Sequence, residues 1–248
     1  MYTNEEVVMQ PIAVIVMTCC LVAFADAGDI VVQKVQGDVR VRHGITEVWM
    51  KAKPGDVLRP NDTMKTGKGA SAVISAPVET SSPAGSRNIS LPPEVMVDMS
   101  DLRDLSQEEL MLKLTMEKVR SSSYEWKNND LRLPNAAVVR GPDRTPSTRL
   151  SENAVEEGVF QLNGTRVLFA NRFYSTCALK AVEVLRRFPE LEAEVDHRLM
   201  VAEALEKSNL RGEALNEYVA LSLREDLNPD ERSIVQDRIA RLKKQGGG

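Results

Sequence analysis

The spacing of apolar residues changes once along this chain of 248 residues, and the change constrains its fold more than any other feature. Up to about residue 99, apolar and polar residues alternate, as in Val39-Arg40-Val41-Arg42, and turn-forming residues interrupt the chain at short intervals. Over residues 107–121 and again over residues 151–245 the apolar positions follow helical spacing. A period of two is typical of strands and a period of 3.6 of helices. We therefore expect a small all-β domain followed by an α-helical one.

Several short segments of the first part have the composition of β-strands. Many short strands with regular turn signals predict a small sandwich or barrel. The segment of residues 76–87, rich in Pro, Ser and Gly, predicts an exposed hairpin loop between two of them. The predicted strands cover residues 30–35, 39–42, 72–74, 89–91 and 95–97, and a further short segment begins at residues 47–49.

Glycine and aspartate recur in ordered steps through this β-rich part. The steps are Val35-Gln36-Gly37-Asp38-Val39, Gly55-Asp56-Val57-Leu58, residues 61–67 and the small-residue strand 70–74, with Trp49 between the first two. This series resembles a FecR-like domain. In that scaffold Gly37, Gly55 and Gly67 are turn residues, and glycine permits backbone conformations closed to other residues. Asp56 and Asp62 can hydrogen-bond to turn backbone.

A capping-box sequence, Ser106-Gln107-Glu108-Glu109, predicts the start of a helix over residues 107–121. Ser106 is the expected N-cap, and Glu109 is expected to reach back to it. The apolar positions cover so wide an arc that we expect the helix to be buried. We place it in a FecR-like domain spanning residues 28–127. Residues 128–150 contain three prolines and indicate a strand followed by a linker.

Residues 151–245 are predicted to be helical, and their second half carries a spacing of small and aromatic residues. Ala202, Ala214, Tyr218 and Leu221 resemble the helix-crossing positions of a tetratricopeptide repeat. The resemblance implies paired helices with a turn at Gly212, and a generic bundle of four or five helices remains the alternative. A terminal capping helix is predicted over residues 230–244, before a flexible tail of residues 246–248. An earlier repeat, aligned 36 residues before, places Ala178, Val182, Leu185 and Pro189 at equivalent positions.

The N-terminal segment predicts export. Residues 11–24 carry no charge and are followed by Ala25-Asp26-Ala27, the small-residue pattern that a signal peptidase recognises. We interpret residues 1–27 as a signal peptide, with an uncleaved anchor as the alternative, and expect a periplasmic or otherwise extracytoplasmic protein of bacterial type. Cleavage would leave Cys177 as the only thiol, so no internal disulfide is expected and a small buried hydrophobe is the favoured role.

Charge and motif content argue against several classes of function. Lys and Arg total 32 and Asp and Glu 36, so the chain lacks the basic footprint of a nucleic-acid-binding protein. His43 and His197 have no partner at metal-ligand spacing, and both are expected to be exposed or capping residues. Neither a nucleophile elbow nor a phosphate-binding glycine loop occurs. We therefore expect no catalytic residue, no cofactor and no metal.

Binding is the function that the pattern favours. The resemblance to tetratricopeptide repeats implies a groove that holds a peptide or partner helix, with Asn163, Asn171, Asp196 and Glu203 along it. We expect a non-enzymatic envelope adaptor, with protein partners on the helical repeats and cell-wall or surface polysaccharide as a further partner of the β domain. A membrane contact is expected only if the N-terminal segment stays uncleaved.

The alternative is a membrane-tethered sensor, because FecR-like proteins include transmembrane regulators of sigma factors. Those regulators carry a cytoplasmic segment ahead of the membrane helix. Only ten residues precede the apolar stretch in this sequence, which makes the sensor the less favoured hypothesis.

Overall fold

The computed structural model describes residues 29–77, 86–121, 152–193 and 195–246. Within these ranges eight strands come first and six α-helices follow, so the protein is mixed α and β. The predicted signal peptide of residues 1–27 and the predicted linker of residues 128–150 lie outside the described residues.

The eight strands form two antiparallel sheets of four strands each. The first sheet has the order β4-β1-β6-β7 and the second the order β3-β2-β5-β8. Successive side chains of a strand point to opposite faces of its sheet. Val39 and Val41 of β2 therefore point into a core shared by both sheets, whereas Arg40 lies exposed on the outer face. The strands are β1 (Ile30–Gln36), β2 (Val39–Arg42), β3 (Trp49–Lys51), β4 (Val57–Leu58), β5 (Thr63–Thr66), β6 (Ser71–Pro77), β7 (Ser86–Leu91) and β8 (Met96–Asp98).

Two of these strands were not predicted, and one is displaced. β4 has only two residues. β5 lacks the apolar alternation expected of a strand because its buried positions include threonines. Thr66 can be fully buried because its hydroxyl is satisfied: it donates to Pro92 O at 2.6 Å and accepts from Val95 N at 3.0 Å. β3 starts at Trp49, two residues after the start of the predicted segment.

The hairpin between β6 and β7 has a shorter loop than the predicted 76–87. Ala76 pairs with Arg87 and Pro77 with Ser86, so these residues belong to the strands. The alternation of buried and partly exposed residues along β6 continues through Ala76, which is buried.

Helix α1 (Gln107–Ser121) has the predicted bounds. Ser106 caps it as expected, since its Oγ accepts a hydrogen bond from Glu109 N at 3.2 Å. The Glu109 carboxylate, however, accepts from Arg103 at 2.6 Å and lies 2.8 Å from Lys113 Nζ. Two cations offer stronger, charge-assisted hydrogen bonds than the backbone amide of Ser106, so the predicted reach back to the cap is wrong.

Only one face of α1 is buried. Leu110 and Leu114 contact the core, whereas Leu112, Met116 and Val119 are exposed at 64%, 47% and 65%. The prediction that the whole apolar arc is buried is therefore wrong for these three residues. The helix packs along α3 on one side, and a single contact of this kind covers only one stripe.

Five helices follow, and each packs against the next along the chain. Asn228 and Glu231 form a reciprocal capping box at the start of the last helix, with N–H to carboxylate or amide distances of 2.8 and 2.9 Å. That helix continues to Gly246, so the tail begins later than predicted. The helices are α2 (Glu152–Ala170), α3 (Tyr174–Arg187), α4 (Val195–Lys207), α5 (Arg211–Ser222) and α6 (Pro229–Gly246), with a 3-10 helix at Pro189–Ala193.

The pairs α2–α3 and α4–α5 turn in the same way. Arg172 and Asn209 have positive φ angles of 66° and 62°. The amides of Phe173 and Leu210 then donate back to Leu168 O and Leu205 O at 3.0 and 2.9 Å, the hydrogen-bond pattern of a Schellman C-cap. The turn of the second pair therefore lies at Asn209, and Gly212 falls inside α5 instead of in the predicted turn.

These counterparts lie 37 positions apart, whereas the sequence alignment gave 36. In the structural register Cys177 corresponds to Ala214, and both are fully buried at 0% exposure. The alignment failed because it matched alanine to alanine, pairing Ala178 with Ala214. A buried cysteine is small enough to occupy the same helix crossing.

Candidate functional site

The helices are seated directly on the second sheet. Gly164 of α2 lies so close to β8 that a Cβ at this position would stand 2.1 Å from Met96 O. The neighbouring Asn163 donates from Nδ2 to Glu94 O at 2.9 Å, and Arg87 donates to Asn171 O at 2.5 Å. The β part and the helical part therefore form one body, whose shared core includes residues of both.

A partly buried charge cluster joins the same two parts. Lys180 Nζ of α3 lies 2.6 Å from Asp98 Oδ2 and 3.4 Å from Asp101 Oδ2, and Asp98 also accepts the Thr63 hydroxyl at 2.6 Å. Burial raises the pKa of Asp101 to about 6. Burial also raises the pKa of Asp98, but Lys180 and the Thr63 hydroxyl outweigh it and hold that pKa below its usual value. Removing one partner of such a cluster would leave a buried charge uncompensated.

An open groove of about 460 Å³ lies between α1, α3, α4 and α5, and we call it the helical groove. Its floor is apolar, and a continuous apolar floor with a charged rim is the arrangement that accepts an amphipathic segment of another protein. The floor consists of Leu114, Val182, Leu185, Pro189, Val201 and Leu205. The rim consists of Lys118, Arg120, Arg186, Arg198, Glu213, Asn216 and Glu217.

The charged rim is held in place by ion pairs. Arg186 Nε lies 2.6 Å and Arg120 2.5 Å from the carboxylate of Glu117, which is buried beneath them. Burial raises the pKa of Glu117, but the two guanidinium groups outweigh it, so the net pKa lies below the usual value. Across the groove Arg198 lies 3.3 Å from Glu217. Fixed side chains lose little conformational freedom on binding, which lowers the cost of docking a partner.

The four residues predicted to line a groove are placed apart. Asn163 and Asn171 lie at the contact with the β part, where Asn171 Nδ2 also donates to Val167 O at 2.9 Å. Asp196 is exposed in the first turn of α4. Glu203 lies 3.6 Å from Lys207 and 4.0 Å from Arg238 of α6. The sequence could not show that the β part covers α2, or that the repeat register is 37.

The turn residues of the β part have the following geometry. Gly37 and Gly55 have positive φ angles of 78° and 90°, but the positive φ of the third turn is at Gly69 and not at Gly67. Gly67 instead approaches Asp38, whose carbonyl accepts its N–H at 2.9 Å. Asp56 Oδ2 accepts from Lys53 N at 2.7 Å.

Asp62 is the most enclosed carboxylate of these turns, with 2% exposure. Its oxygens accept from Arg59 N at 2.8 Å and Gly44 N at 3.2 Å, and His43 Nδ1 lies 3.0 Å away. Burial raises the pKa of Asp62, but these hydrogen bonds outweigh it and hold the pKa below its usual value. Asp62 thus ties two turns together.

The remaining nucleophilic and titratable candidates divide between surface and core. His43 is exposed, whereas His197 is buried at 3% on the inner face of α4, so the prediction of an exposed or capping residue is wrong for His197. Burial raises the pKa of Cys177 to about 12. Among the described residues no cluster of three His, Cys, Asp or Glu side chains could hold a metal ion.

Sequence reasoning missed the helical groove because one of its walls is α1, which belongs to the N-terminal part. One signal was present: Glu117 follows Leu110 and Leu114 on the buried face of α1. A carboxylate on an apolar helix face indicates a buried partner, here Arg186. The sequence does not specify which arginine is the partner.

Comparison of the chain with protein-family models, with curated proteins and with solved structures finds no match. No helix among the described residues combines the length and hydrophobicity that a membrane crossing requires.

Proposed function

We propose that the protein is a non-enzymatic, exported envelope adaptor. In this proposal a FecR-like β domain contacts the envelope, and tetratricopeptide-like helices bind a segment of a partner protein. The partner segment is an amphipathic helix or extended peptide whose apolar side chains lie on the floor of the helical groove.

The helical groove is the observation that carries the proposal. Leu114 from α1, Val182 from α3 and Val201 from α4 bring three separate helices to one apolar floor. The ion pairs of Glu117 and Glu217 hold the rim arginines around it. Helix-in-groove recognition uses this combination of apolar anchors and flanking charge.

An adaptor must hold its two binding surfaces at a fixed position relative to each other. The close packing of α2 against β8 supports this role. Gly164 and Asn163 hold the helices against the second sheet, and Lys180 adds a buried ion pair. A partner bound in the helical groove is then held at a fixed position relative to the β domain.

Blocking the groove tests the proposal. In the Val182→Trp variant an indole fills the floor, and the matched Val219→Trp variant adds the same side chain at an exposed valine of α5. Tagged full-length proteins are recovered from gently crosslinked envelope fractions of the source cells. We expect a partner with wild type and with Val219→Trp that is lost with Val182→Trp, although circular dichroism shows all three folded. Equal recovery with both variants would refute groove binding.

A further inference from the structure

Three cations stand side by side across the outer face of the second sheet. Arg40 of β2 is in register with Lys51 of β3 on one side and with Lys65 of β5 on the other. Neighbouring strands lie about 4.8 Å apart, so the three side chains leave the sheet at intervals of roughly 5 Å. Like charges directly opposite one another destabilise a sheet. A row of three cations therefore destabilises the free protein, and an anion bound across the row would relieve the repulsion.

The protein compensates this row only in part. Arg40 binds Asp38 through two contacts of 3.0 and 3.1 Å, and both side chains remain about half exposed. Lys65 Nζ lies 4.4 Å from the ring centroid of Phe160. Within the part of the chain that the structure describes, no carboxylate pairs with Lys51 or Lys65.

The row leads into a cleft of about 290 Å³ between this sheet and α2. Trp49 forms part of its wall and is held there by Arg42, whose guanidinium carbon lies 5.1 Å from the ring centroid. Asp98, in the same row of the sheet as Arg42, is paired with Lys180 and also interacts electrostatically with Arg42, so the charge of Arg42 is partly offset. The cleft is lined by Asp38, Arg40, Trp49, Lys65, Gly67, Lys68, Glu156 and Phe160.

We infer that this face binds an acidic polysaccharide, and the inference rests on the envelope contact that the proposed function gives to the β domain. The sugar chain runs across the strands with its carboxylates on Lys51, Arg40 and Lys65, and one ring packs against Trp49. The row and cleft together hold four cations (Arg40, Lys51, Lys65 and Lys68) against the two carboxylates Asp38 and Glu156.

The geometry favours a saccharide over other polyanions. Successive cations recur at about the length of one pyranose ring. An indole offers an apolar face for the C–H side of a sugar, and Lys51 and Lys65 carry ammonium groups that can each bind a sugar carboxylate. Nucleic acid fits less well, because the whole chain has 36 acidic and 32 basic residues and lacks a wide positive field.

The test uses purified full-length protein and polygalacturonate oligomers, with dextran as the neutral polymer, in a low-salt calorimetric titration. We expect binding to polygalacturonate only. The Lys51→Gln/Lys65→Gln variant should bind about tenfold more weakly, since two exposed charge pairs are lost. The Lys34→Gln/Lys243→Gln variant removes the same charge elsewhere and should bind like wild type. Lys51→Gln alone, at an exposed position, separates lost binding from any disturbance of the Lys65–Phe160 contact.

Three results would overturn the inference: no binding of polygalacturonate, equal binding by the Lys51→Gln/Lys65→Gln variant, or tighter binding of an oligodeoxynucleotide or polyglutamate. Partner capture through Val182 does not depend on this face. If capture persists while polygalacturonate fails to bind, the saccharide site is wrong and the groove adaptor stands. If both fail, the proposed function falls as well.

Discussion

Replacing Gly164 by alanine tests whether the close seating of α2 on β8 holds the protein together. The added Cβ would lie 2.1 Å from Met96 O and 3.1 Å from Met96 C. A backbone oxygen cannot rotate aside, so the helix and the strand must separate by about 1.3 Å or more to restore ordinary van der Waals contact. The separation loosens the Asn163 and Lys180 contacts at the same interface.

The expected magnitude combines two opposing effects. Overpacking a well-packed site costs about 1–3 kcal/mol or more, and a clash with backbone belongs at the upper end. Alanine also gains up to about 1 kcal/mol over glycine in a helix. We expect a net loss of about 2 kcal/mol in the free energy of unfolding. For a chain of this length, that loss lowers Tm by roughly 4–8 °C.

The control is Gly212→Ala in α5, where a Cβ would meet nothing within 4 Å. It makes the same exchange without the clash and should leave stability unchanged or raise it by up to about 1 kcal/mol. Urea unfolding followed by far-UV circular dichroism measures both variants. A Gly164→Ala protein as stable as wild type would refute the close seating of α2.

Three further predictions concern buried groups. Because burial raises the folded-state pKa of Asp101 to about 6, above that of the unfolded chain, its ionised form weakens the fold. The contribution of Asp101 to the free energy of unfolding should therefore rise as pH falls from about 6 towards 4, by up to about 3 kcal/mol, so in urea titrations the stability of wild type relative to Asp101→Asn should increase over this range. Asp62→Ala removes the acceptor of two backbone amides and should cost about 2 kcal/mol in urea unfolding at pH 7. The folded pKa of Asp62 is depressed, so that cost should shrink as pH falls below 4, and a cost that is constant with pH would contradict the assignment. Cys177, whose thiol is buried with a pKa of about 12, should react with a disulfide reagent at pH 8 only after urea is added, and rapid labelling of the native protein would contradict its placement in the core.

Helices and strands are predicted best from the sequence where short-range signals alone determine them. The bounds of α1 follow from Ser106 and the helical spacing behind it, and β2 follows from four alternating residues. β5 was not predicted because Thr63 and Thr66 are buried through hydrogen bonds to Asp98 and Pro92, which are distant in the sequence. Polar residues that bond in the core cannot be told from exposed ones before their partners are known.

The candidate sites are harder to predict from the sequence than the helices and strands. The helical groove depends on α1 packing against α3, a contact between distant parts of the chain. Alanine matching gave a register of 36, whereas the turns at Arg172 and Asn209 define 37, because neither turn carries the glycine that usually marks it. The basic row was missed because Lys51 and Lys65 become neighbours of Arg40 only through sheet register.

The most direct test of the adaptor proposal is photocrosslinking from the helical groove. A photoreactive amino acid replaces Asn216 on the groove rim or, as a control, Gln236 on the exposed side of α6. Both are exposed amide side chains on helices, so the two probes differ mainly in location. Irradiated envelope preparations are then analysed for crosslinked protein by mass spectrometry. The proposal predicts one partner, joined through a single segment, at Asn216 and not at Gln236. The same crosslinks at both positions, or none at Asn216, would contradict it.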